Sequence, residues 1–399
     1  MQLGWIDFSN EDRAKVLDVI HLLQEPGAVD ELGIGIIRDA FANYFFPGTS
    51  TVQTRAKYFL IVPYVLREAG EGKYGNDINR VLRAIDDEER KCGLKLIETS
   101  KDGVIGVNNL PKSWVARTPS NIYWNGIKTL GIFKDNQLSI KDYLKESYVL
   151  RNLKNNKDLG NRADDAAENE KDDKDAGDIT HFQFWDLPDI CKTDWRSELT
   201  IELLPEEAAF LRNQILKYQR NTLMEYIVEN NIPVSKYTSF ETIADAVKDG
   251  VSEYMREMLD LADQFNNLVY LARVRYNLIL SGGENVKAEE EWNFLVQDID
   301  ARANVDLETI YDRLEITSFP TRKFLNELKA AFLAHDYDAA DEIIRHREIK
   351  LKGPSRAKLN HPGEYANDEW VGGYWLDYRY SSAKRIIADI YRGEGITDV

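Results

Sequence analysis

The stretch DELGIGIIRDAFANYFFPGTSTVQTRAKYFLIVPYVLREAG, residues 30–70, decides the fold of the N-terminal half. Asp30 can cap a first helix, whose apolar residues recur at helical spacing: Leu32, Ile36, Ile37, Ala40, Phe41, Tyr44 and Phe45. The sequence FPG at 46–48 ends that helix, because proline lacks a backbone donor and glycine accepts a left-handed turn. Three hydroxyl residues then favour the start of a second helix: Thr49, Ser50 and Thr51.

The second helix of this stretch has two interpretations. Four polar residues lie near its predicted start: Thr51, Gln53, Arg55 and Lys57. A helix, a tight turn and a second helix with such residues at its N-terminus outline a helix-turn-helix reader of nucleic acid. Residues 59–62 are wholly apolar, which instead favours a helical hairpin whose second helix belongs to the core. Arg55 would then be a structural arginine paired with Asp39 or another acid.

Further motifs accompany this stretch and carry a family resemblance: GWIDFS (4–9), GVIG (103–106), PSNIYW (119–124), RYNL (275–278) and LDYR (376–379). Together they cover nearly the whole chain, which resembles a bacterial family of about this length classed as a domain of unknown function. The resemblance implies an accessory gene of multi-gene anti-phage defence loci, beside genes for helicases or phospholipase-D-type nucleases. It therefore implies a helicase- or nuclease-type protein partner, which no residue of this chain identifies.

The composition limits the class of protein. The 399 residues carry a formal net charge of −17 and are 43% hydrophobic, which suits two to three globular domains with cores of their own. A uniformly acidic surface repels phosphates, so any contact with nucleic acid must come from a local basic patch. Two cysteines suit a reducing cytoplasm. We expect neither a signal peptide nor a membrane span, since no apolar run has the required length or flanks.

Helical periodicity dominates the chain, from a first helix at residues 7–25 onward, and predicts a mainly α-helical, multi-helix protein. The N-terminal half contains one exception. Residues 93–97 and 104–107 have the pattern of short strands, joined through the turn sequence KDG at 101–103. The sequence therefore predicts a small β-hairpin, which would be compatible with a winged-helix-like module.

Residues 155–178 differ in composition from the rest of the chain. Between residues 158 and 178 there are nine acids and three bases, with one large apolar residue, Leu159. This composition predicts a solvated, flexible acidic insertion, with a phosphate-mimicking segment as the alternative. The predicted domains are accordingly an N-terminal helical domain with the small hairpin, residues 1–154, and a C-terminal helical domain, residues 179–399.

Sequence patterns of catalysis and cofactor binding are missing. The chain lacks a Gly-rich phosphate loop, a GxGxxG motif, an HExxH motif and a CxxC pair, and its five histidines are scattered. We therefore expect no cofactor, no metal and no catalytic residue. A metal-dependent nuclease of unrecognised type is the alternative, in which Glu348, Lys350 and either Asp338 or Asp341 would form the metal site. The helical pattern of this segment argues instead for a solvated helix.

Segment 345–358 contrasts most with the acidic chain. It carries one acid, Glu348, and six cations: Arg345, Arg347, Lys350, Lys352, Arg356 and Lys358. Six aromatic residues follow between positions 365 and 380, and basic residues interleaved with stackable rings suit single-stranded nucleic acid. The alternative is that these cations pair with acids of this chain or of an acidic partner. Arg379, in the LDYR motif, is assigned to the same nucleic-acid or partner contact.

These observations favour a non-catalytic, cytoplasmic accessory subunit. It would bind nucleic acid, or dock on a nucleic-acid enzyme, while a neighbouring protein supplies ATPase or nuclease chemistry. The unrecognised nuclease is one alternative, and a scaffold that contacts only protein is the other.

Overall fold

The computed structural model describes residues 30–164, 184–188, 195–197, 199–362 and 369–396, with side chains for all of these except 154–164. The helix predicted at residues 7–25 lies outside this part of the chain, as do residues 165–178 of the acidic insertion. Residues 155–164 of that insertion continue a helix.

The described residues are mainly α-helical, as predicted. The α-helices are α1 (Gly35–Phe45), α2 (Tyr58–Gly70), α3 (Ile78–Leu96), α4 (Pro119–Thr129), α5 (Ile140–Asp164), α6 (Pro205–Tyr218), α7 (Leu223–Glu229), α8 (Phe240–Val247), α9 (Glu253–Ser281), α10 (Val286–Leu295), α11 (Ile299–Ala303), α12 (Leu307–Arg313), α13 (Phe319–Leu333), α14 (Tyr337–Lys352) and α15 (Tyr380–Gly393). Short 3₁₀ turns occur at Val234–Lys236, Val296–Asp298 and Lys358–Asn360. None of the helices described is long and apolar enough to cross a membrane.

The predicted β-hairpin is wrong. Residues 93–96 form the last turn of α3, where a Cβ at Gly93 would lie 3.0 Å from Leu110 Cδ1. Cys92 and Leu96 are both buried there, so the apolar pattern belongs to a helix face. Residues 104–107 form turns, and the Ile105 N–H donates to the Tyr58 hydroxyl at 2.9 Å instead of to a strand. The described residues contain no strand, so a winged-helix module would have no wing.

The predicted start of the second helix is also wrong. Helix α2 begins at Tyr58, and the residues from Thr49 to Lys57 form turns and irregular backbone. The Tyr123 hydroxyl accepts from the N–H groups of Thr54 and Arg55, at 2.8 and 3.1 Å. These two N–H groups therefore donate to a side chain of α4. In an α-helix they would instead donate to carbonyl groups of the preceding turn.

The chain divides into two compact units. Unit 1 comprises residues 1–39 and 258–376, and unit 2 comprises residues 40–257 and 377–399. The sequence-based domains, residues 1–154 and 179–399, are a different division of the chain, which stays a prediction.

Helix α2 is the central element of unit 2. All residues from 58 to 66 are buried, so the interpretation of α2 as a core helix is confirmed. Its Phe59 meets Tyr123 edge to face, with 5.0 Å between the ring centroids. Elsewhere in this core Phe240 packs against Phe45 and Tyr378, with ring centroids 5.0 and 4.8 Å apart. A helix buried on every side has no face to present to a DNA groove.

Unit 1 is built around the C-terminal part of α9. Phe265, Leu268, Leu271 and Val274 of this helix are fully buried, and α13 and α14 pack together in the same unit. Residues 369–376, which we name the strap, lie along α9 without regular secondary structure.

Candidate functional site

The cations predicted to read nucleic acid from the start of α2 are buried in unit 2. Arg55 is 3% exposed and donates to three carboxylates: those of Asp389 at 2.9 Å, Glu202 at 2.8 Å and Asp102 at 3.2 Å. Burial by itself lowers the pKa of Arg55, but the hydrogen bonds to Asp389 and Glu202 raise it above its ordinary value. The arginine is thus a structural pairing centre, the alternative left open by the sequence, with Asp389 in the place of Asp39.

The neighbouring predicted contact residues are mostly internal as well. Lys57 is buried and pairs with Glu207 at 2.5 Å. The Gln53 side chain is buried, donates to the Gly48 carbonyl and accepts from the Ser50 N–H, which fixes the turn between α1 and α2. Thr51 is exposed. This loop therefore exposes Thr51 and keeps the charged side chains of Arg55 and Lys57 inside.

The basic segment of unit 1 is largely tied to its own chain. Arg347 is buried and donates to the carbonyls of Leu32, Gly33 and Pro320 at 2.8–3.1 Å. It thereby holds the backbone at residues 32–33 in place. Because Arg347 is buried and donates to carbonyl oxygens, it positions backbone and does not present its charge to a phosphate in solvent.

Acids of unit 1 accept two lysines of the same segment. Lys352 lies 2.8 Å from Glu348 and 3.6 Å from Glu31, and Lys358 lies 3.3 Å from Glu31. Lys350 and Arg356 are exposed, although the Arg356 guanidinium donates to the Lys352 carbonyl. The charge of this segment therefore reaches solvent mainly through Lys350, Arg356 and the half-buried Arg345, whose side chain is 32% exposed.

Glu348, the acid of the alternative nuclease site, is fully buried. It accepts from the Tyr276 hydroxyl at 2.7 Å, from Lys352 at 2.8 Å and from the Leu359 N–H at 3.0 Å. Burial raises the pKa of Glu348, but these donors outweigh it and hold the pKa below its usual value. Asp341 instead pairs with Arg275 at 2.6 Å. The carboxylates of Glu348 and Asp341 thus bind different partners, and the structure does not bring them together to hold a metal ion.

Arg379 of unit 2 lies at the start of α15, with a left-handed backbone at φ 66°. It donates to the Asn43 side chain at 2.6 Å and to the Thr49 carbonyl at 2.9 Å. This geometry makes it a link between the end of α1, the following turn and α15.

The strap is fixed along α9 by a ladder of side chains that sequence reasoning missed. Asn277 accepts from the Val371 N–H at 2.7 Å and donates to the Val371 carbonyl at 3.1 Å. Asn266 repeats this clamp at Leu376, at 2.7 and 3.5 Å. The later asparagine of α9, Asn277, holds the earlier strap residue, Val371, so the strap runs antiparallel to α9. The 11 residues from Asn266 to Asn277 rise about 16 Å along the helix, a distance that about five extended residues also span.

A sequence signal for this ladder exists in retrospect. Asn266 and Asn277 lie three helical turns apart among the apolar residues of the buried side of α9, and a buried amide requires partners. The RYNL motif contains the second clamp. Its Arg275 pairs with Asp341, its Tyr276 donates to Glu348 and its Asn277 holds Val371. Three consecutive residues thus join α9 to two other segments of unit 1.

The strap carries an aromatic surface. Trp375 stacks on Tyr270 of α9 with centroids 3.9 Å apart, and Trp370 stacks on Tyr374 at 4.8 Å. Lys287 lies over the Tyr374 ring at 4.2 Å and donates to its hydroxyl at 2.9 Å. Tyr374 and Trp375 are nevertheless 44% and 43% exposed. The strap therefore presents two large, positioned rings to solvent.

A cleft of about 440 Å³ in unit 1 borders the strap. It is lined by Asp30, Glu31, Leu32, Ile34, Arg38, Arg273, Tyr276, Lys358, Trp370, Val371, Gly372 and Gly373. Arg347 fixes one wall through the carbonyls of residues 32–33, and Asn277 fixes another through Val371. Of the residues predicted to contact ligands, Lys358 lies in this cleft. The described residues contain no group of three or more histidine, cysteine or acidic side chains arranged to hold a metal ion.

Comparison with known proteins adds one match. A family model described as a family of unknown function, DUF6361, matches residues 1–167. The match agrees, over that part of the chain, with the resemblance carried by the N-terminal motifs. No curated protein and no solved structure matches the chain.

Proposed function

We propose that the protein is a non-catalytic accessory subunit that docks on a helicase- or nuclease-type protein of a bacterial anti-phage defence complex in the cytoplasm. The defence setting and the type of partner rest on the family resemblance. The cytoplasmic setting rests on the cysteine content. The missing catalytic motifs support a division of labour in which the partner performs the chemistry.

The exposed aromatic pair of the strap carries this proposal. Tyr374 and Trp375 offer large contact area at low entropic cost, because stacking and the asparagine clamps already fix their positions. Tyrosine and tryptophan are also the residue types that most often dominate binding energy in protein interfaces. The occupant we propose is a folded protein with an apolar pocket for these rings.

Nucleic-acid binding is the second candidate, favoured by the same rings together with the exposed Lys350 and Arg356. The formal charge of −17 opposes it, since an acidic chain repels phosphates outside a dense basic patch. Arg347, Lys352 and Lys358 are engaged inside unit 1, which leaves such a patch thin. Protein docking is therefore the function that the geometry supports best.

The test is a pull-down from the native host with wild-type protein and with Tyr374→Ala. Tyr218→Ala is the matched control, because Tyr218 is equally exposed, at 44%, and belongs to unit 2. We expect one helicase- or nuclease-type protein to co-purify with the wild type and the control, and to be lost with Tyr374→Ala. Nuclease-sensitive recovery, in which nucleic acid is the bound species, would favour the second candidate. Equal recovery with all three proteins would contradict docking through the strap.

A further inference from the structure

Three large apolar side chains of unit 1 are exposed on neighbouring segments. Phe319, at the start of α13, is 73% exposed. Ile36 of α1 and Leu351 of α14 are 44% and 43% exposed. We name these three residues the apolar patch.

The guanidinium of Arg347 holds the backbones of the apolar patch together. It donates to the Gly33 carbonyl at 3.0 Å and to the Pro320 carbonyl at 3.1 Å. Pro320 directly follows the phenylalanine of the patch, and Gly33 precedes its isoleucine by three residues. A Cβ at Gly33 would lie 2.8 Å from Leu351 Cδ1. Exposed apolar side chains that are gathered in this way mark a binding surface.

An exposed cation borders the apolar patch. Lys350 directly precedes Leu351 in α14, and no acidic side chain among the described residues pairs with it. Two other lysines of the same segment, Lys352 and Lys358, both lie within 3.6 Å of Glu31. The patch therefore suits an occupant that has an apolar side and an excess of acids.

The N-terminal segment of the chain has both properties. Between residues 7 and 25, which lie outside the described part of the chain, apolar residues recur at helical spacing: Val16, Leu17, Val19, Ile20 and Leu23. Residues 1–29 carry more acids than bases, with Asp7, Glu11, Asp12, Asp18 and Glu25 against Arg13 and Lys15. A helix with so broad an apolar side must bury it against another surface.

The described residues begin close enough to the apolar patch for this segment to reach it. Asp30 lies three residues before Gly33, which packs against Leu351. The chain from residue 25 to residue 30 spans at most about 18 Å, and a helix over residues 7–25 would be about 28 Å long.

We propose that the apolar patch binds residues 7–25 of the same chain, through the apolar side of the helix that their sequence predicts. An acid of the segment would then lie near Lys350. This inference goes beyond docking through the strap and does not depend on it.

Hydrogen–deuterium exchange of the full chain tests the proposal with two matched variants. Phe319→Asp removes the most exposed ring of the patch, in the first turn of α13, where an acid favours the helix. Phe294→Asp is the control, since Phe294 is 61% exposed and lies on α10 of the same unit. We expect residues 7–25 to be protected in the wild type and in the control. In Phe319→Asp they should exchange at least about tenfold faster, because a buried phenylalanine ring contributes at least that factor.

Variants of the segment provide the reciprocal test. Ile20→Asp places a charge on the apolar side of the predicted helix, whereas His21→Asp places the same charge on its polar side. We expect Ile20→Asp, but not His21→Asp, to accelerate exchange at residues 32–36, whose backbone adjoins the patch. Unchanged exchange in α9 checks that each variant remains folded.

Several results would overturn the proposal. Exchange of residues 7–25 in the wild type at the rate of an unfolded chain would show that the segment is not bound. Protection that persists in Phe319→Asp, or is lost equally in Phe294→Asp, would show that the segment does not bind through the patch. A wild-type dimer that Phe319→Asp dissociates, with residues 7–25 unprotected, would identify a second copy of the chain as the occupant.

Discussion

The buried arginines Arg55 and Arg347 are held by partners that the sequence does not reveal. Arg55 pairs with Asp389, which lies 334 positions later in the sequence and is fully buried. The sequence suggested a structural arginine as an alternative but could not identify its partner, because any of 68 acids was available. The same holds for Arg347, whose acceptors are backbone carbonyls that leave no mark in a sequence.

Replacing Arg55 by alanine should remove a buried pairing centre. We expect Arg55→Ala to lower the free energy of unfolding by about 3–5 kcal/mol, because it leaves the buried Asp389 carboxylate without its main partner. Arg392→Ala is the matched control, since Arg392 also contacts Asp389, at 2.6 Å, but is 51% exposed. That change should cost less than about 1 kcal/mol. Urea unfolding of both variants measures the difference, and similar small losses would contradict the structural role of Arg55.

Glu89 makes a pH-dependent contribution to stability. It is 1% exposed and accepts from the Ser120 N–H at 2.8 Å, and burial raises its pKa from 4.5 to about 8. The folded state therefore keeps a proton that the unfolded chain releases, so stability falls as pH rises from about 4.5 to about 8 and is constant above. The slope is at most about 1.4 kcal/mol per pH unit.

The matched variant for this effect is Glu89→Gln, which keeps the acceptor oxygen and cannot ionise. Its free energy of unfolding should exceed that of the wild type increasingly from pH 5 to pH 8, as measured by urea unfolding at each pH. Parallel curves for the two proteins would show that Glu89 is ionised in the folded state.

At the level of elements, periodicity located most helices but could not place two boundaries. Helix α3 continues through the residues predicted as the first strand of the hairpin. Gly93 allows the helix to pack closely on Leu110 and Trp114, and Cys92 and Leu96 bury the same helix face. The start of α2 moved to Tyr58 because Tyr123, 65 positions later, takes the preceding N–H groups. Both shifts come from tertiary contacts, which local propensity does not contain.

The strap depends on its asparagine clamps. Asn277→Ala should remove both hydrogen bonds to Val371 and leave those backbone groups without their partner, at about 1–3 kcal/mol each if they stay buried. We therefore expect faster hydrogen–deuterium exchange in residues 369–376, with unit 2 unchanged. Asn293→Ala on α10 is the control, because Asn293 is an exposed helical asparagine of the same unit. Unchanged exchange in the strap would show that Asn277 does not hold it.

At the scale of the whole molecule, the role that we propose is binding and not catalysis. We expect purified protein to show no divalent-metal-dependent cleavage of DNA or RNA. Glu348→Ala should lower stability by about 3 kcal/mol or more, because Lys352 loses its buried carboxylate. Asp338→Ala, at an exposed acid of the same alternative site, should change neither property. Cleavage that survives purification and disappears in Glu348→Ala without loss of stability would reverse this assignment.

The helical class and the acidic character followed from the sequence, but the candidate site did not. The sequence shows stackable rings after segment 345–358, and two of them, Tyr374 and Trp375, are exposed in the structure. Their support by Asn266 and Asn277 joins segments about 100 residues apart, which composition cannot reveal. The sequence of segment 345–358 resembles a ligand surface, because it does not show that Glu348 pairs with Lys352 and Glu31 pairs with Lys358.

The affinity of the purified chain for the protein that it co-purifies with tests the central claim most directly. Calorimetry should show that Tyr374→Ala weakens binding at least about tenfold, as loss of an aromatic anchor does, while Tyr218→Ala does not. Raising the salt concentration should change the affinity little, because stacked rings and not phosphate contacts carry the binding. An affinity unaffected by Tyr374→Ala, or one that falls steeply with salt, would contradict docking through the strap.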